Sequence, residues 1–220
     1  MPKGVVGGSF GSVAGFGGIV GSVTIIPPSG PPSFTDTFAR ADAPTLGPPW
    51  VEFAQSGSAQ MGVLSGEARS AAAAGSDIVV GAYVDLGMRI QRVEWDMSNW
   101  PKGPVFSFFR FINLSNCWFV SGTGSNPTTM HLFRRTGGVE SLRATVNGVS
   151  WGAGHRLIVE DTGSTITVKI NNTAIPGLTT NDNAHGNATM AGIGGNSRSS
   201  GGGGGPYLQP ARWTRFHVSA

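Results

Sequence analysis

Apolar and polar residues alternate with period two through residues 166–170, where Ile166, Val168 and Ile170 are separated by Thr167 and Lys169. That is the pattern of a strand with one buried face. Residues 155–160 form a second apolar-rich run before it. Asp161-Thr162-Gly163-Ser164 between them has turn chemistry, so the two runs predict a hairpin. A second hairpin is predicted from residues 130–135 and 139–144 across Thr136-Gly137-Gly138. Val93, Trp95 and Met97 share one strand face, with Glu94 and Asp96 on the other. Residues 105–113 are apolar almost throughout and rich in aromatics, the mark of a central strand; residues 117–121 follow as another. Residues 212–218 read as a closing strand with Phe216 and Val218 inward. Helical propensity is confined to residues 67–74, bounded by Gly66 and Gly75. Short strands punctuated by Gly and Asn turns predict an all-β sandwich or barrel over residues 33–220.

Residues 1–32 follow another rule. Glycine alternates with isolated apolar residues, a pattern that builds no core of its own and carries a high ordering cost. The segment is also too apolar for a solvated linker. It reads as an extended arm that orders against a partner or a neighbouring subunit, with Phe10, Phe16, Ile19 and Val20 as anchors. Pro27-Pro28-Ser29-Gly30-Pro31-Pro32 then forms a stiff hinge.

Composition sharpens the picture. Only 12% of the 220 residues are charged, which suits a β-protein with long turns or one packed inside an assembly better than a free soluble enzyme. The net charge is +3, and its basic residues are scattered without a run, so no nucleic-acid partner is expected. No apolar stretch is long enough for membrane insertion, and the N-terminus has no clear signal-peptide pattern. The one cysteine, Cys117, lies in an apolar run and is expected to be a buried, inert thiol, compatible with assembly in a reducing host cytoplasm.

The phrase Asp36-Thr37-Phe38-Ala39-Arg40-Ala41-Asp42, followed by Leu46-Gly47-Pro48-Pro49-Trp50, resembles the opening of many minor tail proteins of actinobacterial phages. The matching residues are Asp36, Phe38, Arg40, Ala41, Asp42, Leu46, Gly47 and Trp50. The domain behind that opening looks like a concanavalin A-like, laminin G-like jelly roll. The pair His155, Leu157, Val159 and Ile166, Val168, Ile170, Asn171 fits the same pattern. The resemblance implies a virion structural protein of the tail, with other virion proteins and copies of itself as partners. A capsid decoration protein is the alternative within the particle. The arm falls outside the resemblance.

Candidate chemistry is sparse. One family of jelly-roll glycoside hydrolases carries Glu-x-Asp-x-x-Glu on a strand, giving the nucleophile and acid that retaining hydrolysis needs. Here Glu94 and Asp96 fill the first two places and Asn99 the third, and an amide cannot protonate a leaving group. The two carboxylates then read as solvent-facing, and the chain is expected not to be an enzyme. Gly7-Gly8-Ser9-Phe10-Gly11 has the letters of a nucleophile elbow without the strand and helix that strain it. His131, His155, His185 and His217 are too dispersed to suggest a zinc site, and no metal is assigned. Calcium stays open at Asp36, Asp42, Asn181, Asp182 and Asn183, which are oxygen-rich.

Carbohydrate binding is the functional alternative. Trp50, Trp95 and Trp118 sit in apolar contexts and read as core. Trp100, Trp151 and Trp213 read as exposed stacking platforms, with Arg215 beside Trp213 as a polar partner for a host cell-wall glycan.

Overall fold

The alternation in Arg92–Met97 places Val93, Trp95 and Met97 in the interior and Arg92, Glu94 and Asp96 on the opposite face. The same logic repeats through the chain. The computed structural model describes residues 31–54, 60–70, 79–98, 105–123, 128–151, 153–196 and 212–220. The arm anchors Phe10, Phe16, Ile19 and Val20 lie outside these residues, as do Asn99 and Trp100.

In chain order the strands are β1 (Ser33–Asp36), β2 (Val51–Ala54), β3 (Met61–Leu64), β4 (Glu67–Ser70), β5 (Val79–Asp85), β6 (Arg92–Met97), β7 (Val105–Asn113) and β8 (Asn116–Thr123). They continue as β9 (Thr128–Thr136), β10 (Val139–Val149), β11 (Arg156–Asp161), β12 (Thr165–Ile170), β13 (Thr173–Asn181), β14 (Met190–Asn196) and β15 (Arg212–Ser219). One sheet runs β13-β12-β11-β6-β15-β4-β3, with β1 also paired to β15; the other runs β10-β9-β8-β7-β14-β5-β2. The pairings are antiparallel, and no helix occurs among the described residues. Both expected hairpins are present, as β11–β12 and β9–β10, and β7 is the middle strand of its sheet.

The main core lies between the sheets. It draws Val93, Trp95, Leu157, Val159, Ile166 and Val168 from the first sheet, and Val80, Phe109, Trp118, Leu132 and Ile193 from the second. A hydrogen bond also crosses it, from Trp95 Nε1 to the Gly192 carbonyl at 3.0 Å.

Residues 67–70 are strand β4, where helical propensity was expected. The reason is tertiary: Ala68 is buried in the main core, and β4 pairs with both β3 and β15. Ser65 and Gly66 turn the chain there with φ of 55° and 74°.

The opening phrase has a structural role. Asp36 accepts hydrogen bonds from the Phe38 N–H (2.7 Å), Arg40 Nη1 (2.7 Å) and Trp50 Nε1 (2.8 Å). Arg40 also donates to the Leu46 carbonyl at 2.9 Å, and Asp42 accepts from the Ser65 N–H at 2.6 Å. The rings of Phe34 and Trp50 then close against Phe216 of β15, and Phe38 packs on Trp50. The phrase is a staple that fastens the start of the sandwich to β15.

Candidate functional site

Over β5, β7, β8, β9 and β14 the second sheet is apolar on both faces. Continuous apolar character in β7 supplies Val105 and Phe109 to the main core while Phe106 and Phe108 point the other way. At Arg110 the backbone turns left-handed (φ 43°) and the β7–β8 register shifts. This bulge sends Phe111 to the outer face and the Arg110 side chain inward. Phe53, Tyr83, Cys117, Phe119, Phe133 and Met190 join from the other strands.

The result is a pavement of rings. Phe53 stacks on Phe111 (centroids 5.5 Å apart, planes at 17°), and Tyr83 lies 5.0 Å from Phe111. Phe106 stacks on Phe108, and Phe119 on Phe133 at 5.1 Å. Glycine lets the rings lie close to the sheet. A Cβ on Gly194 would sit 2.7 Å from Phe108 Cε2, and one on Gly81 would sit 2.5 Å from Phe53 Cζ. Phe108, Phe111 and Phe119 are covered by their neighbours, while Phe53, Tyr83, Phe106 and Phe133 are only half-buried.

Polar groups edge the pavement. His131 Nδ1 and Thr145 Oγ1 share a hydrogen bond of 2.9 Å, and burial lowers the His131 pKa. The Arg135 guanidinium lies over the Phe119 ring at 5.6 Å and pairs with Glu140. At one end the pavement opens into a hollow of about 420 Å³, lined by Phe111, Ile112, Met190, Asn183, His185 and Asn187. His185 is left-handed (φ 58°), and its Nε2 lies 3.1 Å from the Arg135 carbonyl oxygen. This arrangement joins ring faces suited to sugar C–H surfaces to amides and an imidazole suited to hydroxyls.

The outer face of the first sheet carries charge instead. Glu94 was expected to face solvent, yet it is only 7% exposed. Its outward position is covered by arginines: Arg92 Nε and Arg215 Nη1 each donate to it at 2.7 Å, and Arg156 lies within 3.5 Å. Asp96 receives a bidentate pair from Arg156 at 2.6 and 2.9 Å. Burial alone would push the Glu94 carboxyl up, but the hydrogen bonds and charges of Arg215 and Arg92 outweigh it and hold the pKa below the ordinary value. The arginines thus favour the Glu94 anion.

Trp151 and Trp213, expected to be exposed, are both fully buried in the main core. For Trp213 the cause is a bulge. Trp213 pairs with Met97 and Arg215 with Asp96, so Thr214 is the extra residue and the alternation resets. Trp213 thus shares the inward face with Phe216 and Val218. Trp151 sits where the chain crosses from β10 to β11, and its indole turns into the core. Arg215 remains on the outer face, held by Glu94.

The oxygen-rich residues are spread out and engaged. Asp36 and Asp42 serve the opening staple. Asp182 pairs with Arg134 (2.7 Å) and Arg143 (3.1 Å) and caps the Ala184 N–H, and Asn181 accepts from Thr165. Asn183 lines the hollow. Among the described residues no three His, Cys, Asp or Glu side chains gather into a metal-holding group.

No family model and no curated protein matches the chain. Solved structures do match it. They include the β-glucanase of Bacillus licheniformis, at 15% identity and TM-score 0.53, covering 86% of this chain and 98% of that one. A lichenase, a prokaryotic β-1,3-1,4-glucanase derived from a mouse hindgut metagenome, matches at 12% identity and TM-score 0.55, over 85% and 98%. SCLam, a non-specific endo-β-1,3(4)-glucanase from family GH16, matches at 12% identity and TM-score 0.56, over 88% and 92%. Nothing in these matches supports the tail reading. The likeness corrects the expectation that the chain is not an enzyme: the structures it matches are glucanases, so this fold is one that carries catalysis. At such identities the likeness shows the fold alone, an all-β jelly-roll sandwich of the concanavalin A-like type.

Proposed function

We propose that this jelly roll binds a polysaccharide along the aromatic face of its second sheet, with one sugar seated in the adjoining hollow. The observation that carries this reading is the continuity of the two. Phe111 and Met190 belong both to the ring pavement and to the wall of the 420 Å³ hollow, where Asn183, His185 and Asn187 supply polar groups. Ring faces bind sugars without regard to sequence along the chain, while the amides and the imidazole select hydroxyl geometry. That the matched folds are glucanases supports a glucan-like ligand. The minor tail and capsid readings rest on the opening phrase, whose residues serve the staple described above.

Affinity electrophoresis of the full chain through a panel of soluble glucans and cell-wall polysaccharides tests the proposal. At least one should retard it, and Tyr83→Ala or Phe106→Ala should weaken that retardation by about tenfold, the loss of one ring contact. Reducing ends released in the same mixtures would report hydrolysis. Migration unchanged by every polysaccharide would overturn the reading.

A further inference from the structure

The first sheet holds a second, separate hollow. Its volume is about 330 Å³, and it is lined by Asp96, Gly154, Arg156, Asn171, Asn172 and Thr214. Three backbone devices bring these residues together. Asn171 and Asn172 form the two-residue turn between β12 and β13, both left-handed with φ of 49° and 68°. Thr214 is the extra residue of the β15 bulge, released from the ladder. Gly154, two residues before β11, has φ of 80° and donates its N–H to the Met97 carbonyl at 3.0 Å.

The charges in this hollow cancel. Arg156 grips Asp96 with Nε and Nη2, so the wall offers neither a free cation for an anion nor a free carboxylate for a metal. The neutral groups have capacity to spare. Asn171 Oδ1 accepts from the Arg156 N–H at 2.8 Å, and Asn172 Oδ1 accepts from Arg92 Nη2 at 3.1 Å. Both amide oxygens are thus engaged, and neither amide NH₂ donates to any described residue. Two NH₂ groups, the Thr214 hydroxyl and the second lone pairs of Asp96 leave donors and acceptors side by side. That array matches adjacent hydroxyls on one small ring, and the volume lies at the lower end of ligand sites.

We infer that this hollow binds a single neutral, hydroxyl-rich ring, a monosaccharide unit, on the sheet opposite the aromatic face. The two sites would let one domain hold a polysaccharide on one side and a sugar unit on the other.

Amide correlation spectra of the ¹⁵N-labelled full chain, titrated with glucose, galactose, mannose and xylose in turn, test it. At least one sugar should shift the amides of Gly154, Asn171, Asn172 and Thr214. Asn172→Gly keeps the turn, since glycine is favoured at that position, and removes the amide; it should weaken the titration by about tenfold, the loss of one hydrogen-bonding group. Thr214→Val should weaken it too. If none of the four sugars moves these amides, or if Asn172→Gly titrates as the unaltered chain does, the inference is overturned. Shifts confined to Phe111, Asn183 and Asn187 would overturn this site and leave the aromatic-face proposal standing.

Discussion

Arg110 of β7 and Asp161 of β11 join the two sheets through a buried bidentate ion pair, with Nε–Oδ2 and Nη2–Oδ1 both at 2.6 Å. Arg110 is 2% exposed. Its Nη1 also donates to the carbonyls of Asp182 and Ala184, and its guanidinium lies over the Trp118 ring at 5.8 Å. Asp161 accepts further from the Gly163 N–H. Such a pair adds little net stability over an apolar replacement, but breaking one side strands a buried charge. Arg110→Met should therefore cost about 3–5 kcal/mol, read from urea unfolding. Arg110→Met with Asp161→Leu should recover much of that loss. A single variant as stable as the original chain would show that the pair is no clamp.

Acid should loosen the domain through two carboxylates. Burial raises the Asp36 pKa, but hydrogen bonds from Arg40, the Phe38 N–H and Trp50 outweigh it, and the net value falls below the ordinary 3.8. Glu94 is likewise held below 4.5. A group with a depressed folded pKa adds stability above its unfolded pKa and loses it as pH falls through the folded one. Stability should thus be flat near neutrality and decline below about pH 4. Asp36→Asn should shallow that decline while lowering the neutral-pH melting temperature. An unchanged acid limb in Asp36→Asn would remove Asp36 from the explanation.

The ring pavement depends on Gly194. A Cβ there meets Phe108 Cε2 at 2.7 Å and the Val80 carbonyl at 2.9 Å, and the second atom is backbone that cannot swing away. Gly194→Ala should cost about 1–3 kcal/mol, the usual range for overpacking. It should also change the near-ultraviolet dichroism of the aromatic face as Phe108 is lifted. A melting temperature within error of the original would mean that β14 and β5 separate freely.

The two sheets could be read from alternation because most strands have one apolar face. Both hairpins and the inward set Val93, Trp95, Met97, Phe216 and Val218 follow from period two alone. Bulges hid the rest. Trp213 changes face at the Thr214 bulge and Phe111 at Arg110, and a strict alternation misassigns both. The aromatic site did leave a signal, for a strand apolar at nearly every position from 105 to 113 must serve two apolar surfaces. The rings of that face are phenylalanines and a tyrosine, so a reading from tryptophan alone does not reach them. The hollow of Asp96 and Arg156 joins residues from four places in the chain, and no local pattern announces it.

Cys117 reports whether the aromatic face stays closed. Its side chain is buried beside Phe119, and burial pushes the thiol pKa up to about 12, with Arg135 pulling it down and Glu140 raising it. At pH 8 the thiol is thus held protonated by its burial, and the thiolate is the reactive form. A thiol-specific reagent should therefore leave the folded chain unmodified and take up one equivalent in denaturant, since the sequence has one cysteine. Binding of a polysaccharide across the pavement should slow any residual modification further, because it adds cover over the same strand. Rapid labelling of the folded chain at pH 8 would mean that the rings part often enough to admit the reagent, and the pavement would then be too mobile to serve as a rigid sugar platform.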